Sequence, residues 1–246
     1  MTATLIKERV PTALKLGSGH LLRVTGSRGG LRYYEDPDSL DQYPSVTTII
    51  SNIVRKPGLE RWRESLIRKG KDPTKESKAA AKLGTDLHGV LEGLLRGNEE
   101  VIVSDEIEPA VEGFLRWRRA LPLDFLESEV AVYDKENGYA GTIDAIFSKP
   151  HSDELIILDW KSGQTIYPEA TIQIAAYNSA LKSMGCALNV SGMVVCMHKD
   201  KEKGFDGTVE FTYVDQSQAY SAWESILGLY NFSENDIETH TVASNY

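Results

Sequence analysis

Cysteine is nearly absent from this chain. There are two, Cys186 and Cys196, and no CxxC pair. An iron–sulfur cluster held by four cysteine ligands is therefore excluded, and two buried, reduced thiols are the expected state. Long apolar runs are absent too. No stretch of about 18 apolar residues occurs, so no transmembrane helix is expected. The opening segment MTATLIKERVPTALKL lacks the apolar core of a secretory signal. Its scattered basic residues mimic a transit peptide, but Glu8 and its brevity argue against one. A cytoplasmic protein is the expectation. There is no P-loop, so the chain cannot drive its own unwinding of a duplex. No internal repeat or low-complexity tract is present.

Positive charge is also scarce overall. The formal net charge over 246 residues is −9, which taken alone argues against a polyanionic partner. The distribution changes that reading. Residues 55–82 hold ten Lys or Arg against four acids, so this segment carries +6 and the remainder −15. A local basic path on an acidic body suits a polyanion. The commoner meaning of such a stretch is a solvated helical surface, so the segment decides nothing alone. With 41% hydrophobic residues, the chain has enough apolar surface for one core and a helical side lobe.

Pattern then locates the elements. Residues 20–35 read as a hairpin, LLRV and LRYYE around GSRGG. Ser45 is placed to cap a helix over VTTIISNI, against the β-branched content of that segment. Pro57 and Pro73 read as breaks. Leu83, Leu87, Val90, Leu91 and Leu94 give residues 76–96 the period of a helix with one buried face, ended by Gly97 and Asn98. Residues 106–120 form a second helix. From residue 127 the texture changes to β-branched strands at 127–134, 139–148 and 154–161, with short turns between them. A helix over 168–184, strands SGMVVCMH and TVEFTYV, a helix from Ser217 to Tyr230 and a polar tail complete an α/β or α+β chain with a helical lobe in front.

The chemistry-bearing residues lie on the meander. Strand side chains alternate, so Asp159 and Lys161 share a face and Trp160 points away. If the neighbouring strand pairs in register, Asp144 joins them. Two carboxylates in contact repel unless a cation lies between them. Hard oxygen ligands favour Mg²⁺ or Mn²⁺, and such an ion polarises a phosphoryl oxygen and acidifies a bound water. A lysine beside the attacked phosphate orients that water or offsets charge. The ordinary alternative is an Asp–Lys surface pair. Against it, the DxK triplet ends a strand of four apolar residues, Leu155 to Leu158. His88 is a further candidate ligand. It follows Gly84 by one helical turn on the same face, and that glycine costs about 1 kcal/mol of helix stability relative to alanine unless something must approach closely. Alone, His88 reads as an ordinary hydrogen-bonded histidine. Gln173 and Tyr177, spaced i,i+4, share a face and can reach a substrate or hold Lys161.

Taken in order, GTDLH (84–88), GTID (141–144), DWK (159–161) and QIAAY (173–177) resemble the RecB-like branch of the PD-(D/E)XK nucleases. YPSVTTII (43–50) is similar to the mitochondrial genome maintenance exonuclease and its phage relatives. The resemblance spans roughly residues 43–185. It implies a restriction-endonuclease-like core, a central mixed sheet flanked by helices over 123–232, behind a helical arch over 43–122. A β-hairpin extension (1–42) and a polar tail (233–246) flank these. It implies that His88, Asp144, Asp159 and the backbone carbonyl of Trp160 bind the metal, that Lys161 is the catalytic lysine, and that Gln173 and Tyr177 support the site. Glu129 would be the glutamate of the first meander strand, with Glu127 as the alternative because a slip of one residue changes faces. The implied activity is a Mg²⁺- or Mn²⁺-dependent exonuclease on single-stranded or flapped DNA ends in replication, recombination or repair, with a helicase or recombination protein as a further partner. Arg61, Arg63, Lys69, Lys78 and Lys82 would follow phosphates, with Trp62, and in second place Trp117, stacking on bases. Core packing is the commoner fate of both tryptophans. A structure-specific endonuclease and a non-catalytic DNA-binding protein on the same fold are the alternatives.

Overall fold

The computed structural model describes residues 23–28, 31–200 and 204–234. The N-terminal segment read for targeting signals, the tip of the first hairpin and the tail from residue 235 lie outside the described residues. In chain order the elements are β1 (Arg23–Arg28), β2 (Leu31–Glu35), β3 (Gln42–Pro44), α1 (Val46–Ile53), α2 (Pro57–Arg68), α3 (Pro73–Leu95), α4 (Glu108–Ala120), β4 (Asp124–Asp134), β5 (Tyr139–Ser148), β6 (Glu154–Gly163), α5 (Pro168–Ser183), β7 (Asn189–Asp200), β8 (Gly204–Tyr213) and α6 (Gln216–Glu234).

The prolines read as breaks are helix starts. Pro57 and Pro73 open α2 and α3, where a missing N–H costs nothing. Asp72 caps α3 by accepting from the Thr74 amide at 2.8 Å. At the other end Gly97 adopts φ +74°, and Asn98 N–H closes back on the Gly93 carbonyl. The β-branched run after Ser45 is helical because Ser45 Oγ accepts from the Thr48 amide at 3.0 Å.

The central sheet is mixed, in the order β4-β5-β6-β7-β8. All neighbours are antiparallel except β6 and β7, which run parallel and are joined through α5. β6 is the middle strand and is covered on both faces, so Leu155 to Leu158 are all fully buried. Leu155 and Ile157 pack with α1, α5 and α6, whereas Ile156, Leu158 and Trp160 pack with α3 and α4. The fold is thus a mixed α/β sandwich with helices on both faces of a five-stranded sheet.

A second, three-stranded sheet, β1-β2-β3, sits against the β4–β5 hairpin. Tyr34 Oη and Thr142 Oγ1 are hydrogen-bonded at 2.8 Å, and Ser45 bridges Ala140 in parallel. Asp36, fully buried, is ion-paired to Lys135 at 2.5 Å. The Lys135 ammonium, assisted by the Asp38 amide, pulls the Asp36 carboxyl down to about 2. A lowered folded pKa means stability that is present above the unfolded value of 3.8 and is lost as pH falls through about 2. Asp36→Asn is therefore expected to melt earlier than wild type at neutral pH. The gap should close as pH falls from 3.8 towards 2. Thermal denaturation at several pH values reads this, and a pH-independent gap contradicts it.

Candidate active site

The site forms where the β5–β6 ladder opens. The strands pair from Ser148↔Leu155 to Ala145↔Leu158 and no further. The next rung would set Asp144 opposite Asp159. Instead the Asp144 side chain takes over the ladder, with its Oδ2 accepting from the Trp160 backbone N–H at 2.7 Å. Alternation along β5 slips at the same point, because Ile143 and Ile146 face one core and Ala145 and Phe147 the other. One carboxylate thus replaces a strand hydrogen bond and stands between two groups of functional side chains.

The first group is acidic. Ligand atoms of His88, Glu129 and Asp144 lie within 4.8 Å of one another. His88 comes from the middle of α3, with Nδ1 3.7 Å from Asp144 Oδ1, and the Trp160 backbone accepts a hydrogen bond from the imidazole. Burial lowers the His88 pKa, against the pull of the Asp159 charge, so the neutral, ligating form is favoured. Glu129 reaches the cluster through a left-handed backbone, φ +52°, a rare conformation for a side-chain-bearing residue. That local turn settles the choice between the two glutamates. Glu127 is bound to Arg96 at 2.9 Å and Glu129 faces the cluster. Burial, with the nearby Glu92 charge, raises the Glu129 pKa. Asp144 is raised well above the ordinary carboxylate range, first by burial and then by the charge of Asp159. Crowded carboxylates that resist ionisation beside a neutral imidazole form a donor set that a divalent cation fits.

Asp159 belongs to the second group. Its Oδ1 accepts from Gln173 Nε2 at 2.7 Å, and its buried Oδ2 meets the Lys161 ammonium at 2.6 Å. Gln173 is used at both ends of its amide. Nε2 also donates to Tyr177 Oη at 2.9 Å, while Oε1 accepts from Lys161 Nζ at 3.1 Å. Of the two roles open to the i,i+4 pair, Gln173 therefore holds Lys161, and Tyr177 holds Gln173. Burial pushes the Tyr177 phenol well up, so it stays protonated. Gly141 makes room for this ring, since a Cβ there would lie 2.3 Å from Tyr177 Cε1. Gly84 has no such need, because α3 passes the end of β6 at ordinary van der Waals distance. A Cβ would sit 3.4 Å from Ser162 Oγ.

A broad cleft of about 2120 Å³ runs beside these groups, between α2, the first half of α3 and the β6–α5 turn. Arg61, Trp62, Arg63, Lys69 and Lys82 line it, as do Ser162 and Gly163, which follow Lys161 directly. Lys82 is ion-paired to Asp86 at 2.7 Å. Lys78 is exposed on α3 and lies outside the cleft lining. Trp117 is core. It is 6% exposed and packs edge-on against Trp160 with ring centroids 5.6 Å apart, which removes it from any stacking role. Trp62 is half-buried at the cleft wall, and Leu66 is the buried residue of its helix.

No protein-family model and no curated protein matches the chain. Among solved structures, SSO0001 is similar at 16% identity over 73% of this chain and 74% of its own, with a TM-score of 0.37. A provisionally assigned exonuclease from Eubacterium rectale is similar at 11% identity over 64% of this chain and 76% of its own, with a TM-score of 0.38. Likeness at this level carries no argument about chemistry. No helix among the described residues is long and apolar enough to cross a membrane.

Proposed function

We propose that this chain is a metal-dependent nuclease of the PD-(D/E)XK class, RecB-like branch, that hydrolyses phosphodiester bonds at single-stranded or flapped DNA ends. One observation carries the reading. Asp144 couples an imidazole–carboxylate cluster to an Asp159–Lys161–Gln173 network across two strands of one sheet.

In this reading His88, Glu129 and Asp144 would hold Mg²⁺ or Mn²⁺; Asp159 and the Trp160 carbonyl, the further ligands that the resemblance implies, are engaged here by Gln173 and Lys161 and by the His88 imidazole. When bound there, such an ion would supply positive charge to a phosphoryl oxygen and lower the pKa of a water. The protein's own contribution is positional. Lys161, 36% exposed and fixed by Asp159 and Gln173, presents its ammonium beside the cluster, where it orients the attacking water or offsets charge as the P–O bond breaks. The cleft lined by Arg61, Trp62, Arg63, Lys69 and Lys82 takes the strand, so helices 43–122 serve as the arch and residues 123–232 as the nuclease core. A helicase or recombination protein would deliver unwound strands, in the cytoplasm of the cell or of a phage host.

A time course on end-labelled linear and circular single-stranded DNA, with Mg²⁺, Mn²⁺ or EDTA, tests this. Linear strands should shorten from an end while circles survive, and EDTA should stop the reaction. Cleavage of circles replaces exonuclease with endonuclease. No cleavage under either metal removes the nuclease reading.

A further inference from the structure

Lys161 flanks the acidic cluster on the β6 side, and the charge of a second cation, Arg32, reaches its Glu129. Arg32 lies on β2, and its main chain is anchored firmly. Its N–H donates to Thr48 Oγ1 at 3.1 Å, and its carbonyl accepts from Thr48 Oγ1 at 3.0 Å and from the Ser45 amide at 2.9 Å. Strand alternation sets its side chain on the same face as Tyr34. Tyr34 is buried and hydrogen-bonded to Thr142, two residues before Asp144.

The directions of the strands complete the placement. β3 leads into the parallel bridge Ser45↔Ala140 and pairs antiparallel with β2, so β2 runs antiparallel to β5. A step from Tyr34 back to Arg32 therefore advances along β5 from Thr142 towards Asp144, and Arg32 emerges exposed at the rim of the cluster. Its charge acts on the Glu129 carboxylate, as does that of Arg96. Arg96, however, is committed to Glu92, Glu127 and Ser128. Arg32 forms no ion pair with any described residue.

We propose that Arg32 grips a phosphate of the nucleic-acid strand beside Glu129 of the acidic cluster. The inference rests on the nuclease reading and extends it to the residue that fixes the strand. A guanidinium fork suits two phosphate oxygens at once, and a main chain held by Thr48 and Ser45 limits what the side chain must lose on binding. The ligand is an anionic phosphate, either an internal diester or a terminal monoester.

The test is fluorescence anisotropy of wild type, Arg32→Ala and Arg32→Lys with a labelled deoxythymidine oligonucleotide bearing either phosphate or hydroxyl ends. Binding is read in EDTA and again at short times in Mn²⁺, from about 50 to about 200 mM salt. Arg32→Ala should lose about tenfold in affinity, and its slope of log K against log salt should shrink by about 0.7, the counterion release of one single-strand phosphate. Arg32→Lys keeps charge without the fork and should restore the slope and part of the affinity. Circular dichroism should be unchanged in both, since the anchoring bonds use the main chain. An equal loss with both oligonucleotides assigns an internal diester, and a loss confined to phosphorylated ends assigns the terminal monoester. Unchanged affinity and slope in Arg32→Ala, with wild type binding normally, overturn the inference and leave the nuclease reading intact. Failure of wild type to bind in either condition removes both.

Discussion

Lys161→Ala is expected to fold, to keep its affinity for Mn²⁺ and DNA, and to cut end-labelled single strands roughly 10²–10³-fold more slowly, the usual cost of losing one transition-state donor. The loss should appear in kcat with little change in KM if, as proposed, the ammonium acts on the reacting phosphate and the cleft lining supplies the ground-state binding. Folding should survive. Lys161 is 36% exposed, and Asp159 keeps its hydrogen bond from Gln173 when the ammonium is gone. Gln173→Ala separates positioning from chemistry. It retains Lys161 but frees it from Oε1, so its rate should lie between those of wild type and Lys161→Ala. A Lys161→Ala enzyme that cuts at the wild-type rate would falsify the assignment of the lysine.

The neighbouring position is expected to behave in the opposite way. Trp160→Ala should destabilise the fold by about 3–5 kcal/mol, the range for truncating a buried large aromatic. Trp160 is 2% exposed and meets Phe114 and Trp117 edge-on, with centroids 5.5 and 5.6 Å away. Its contribution to the site is made by the backbone, through the N–H bonded to Asp144 and the acceptor facing His88, and alanine keeps both groups. Urea denaturation should therefore show a large drop in midpoint, while molecules still folded at low temperature cut near the wild-type rate. A stable Trp160→Ala protein with no activity would reverse this division between the two faces of β6.

That division was legible in the sequence, because a D-W-K triplet ending an apolar strand has only one way to alternate. The meander, α3 and α5 were equally legible from apolar period and turn residues. What escaped is non-local or irregular. Nothing in ESEVAV announces a left-handed Glu129, so the choice between Glu127 and Glu129 needed the backbone. The splayed β5–β6 ladder escaped as well, since regular pairing would have set Asp144 opposite Asp159 and left no side chain in the ladder. Pro57 and Pro73 were legible as breaks in the chain, and the structure makes each the first residue of a helix. Trp62 and Trp117 look alike in the sequence, and only tertiary packing separates a cleft wall from a core. The role of the first hairpin was hidden by distance, since Tyr34 meets Thr142 across 108 residues.

α3 joins two tasks in one rigid body. Its first half, with Lys82, Leu83 and Asp86, walls the cleft, and its second half, with Leu87 and Leu91, is seated in the core. His88 sits at the junction, one turn beyond Gly84. The apolar contacts that seat Leu87 and Leu91 therefore fix, through one helix, both the cleft wall and the position of the imidazole beside Asp144.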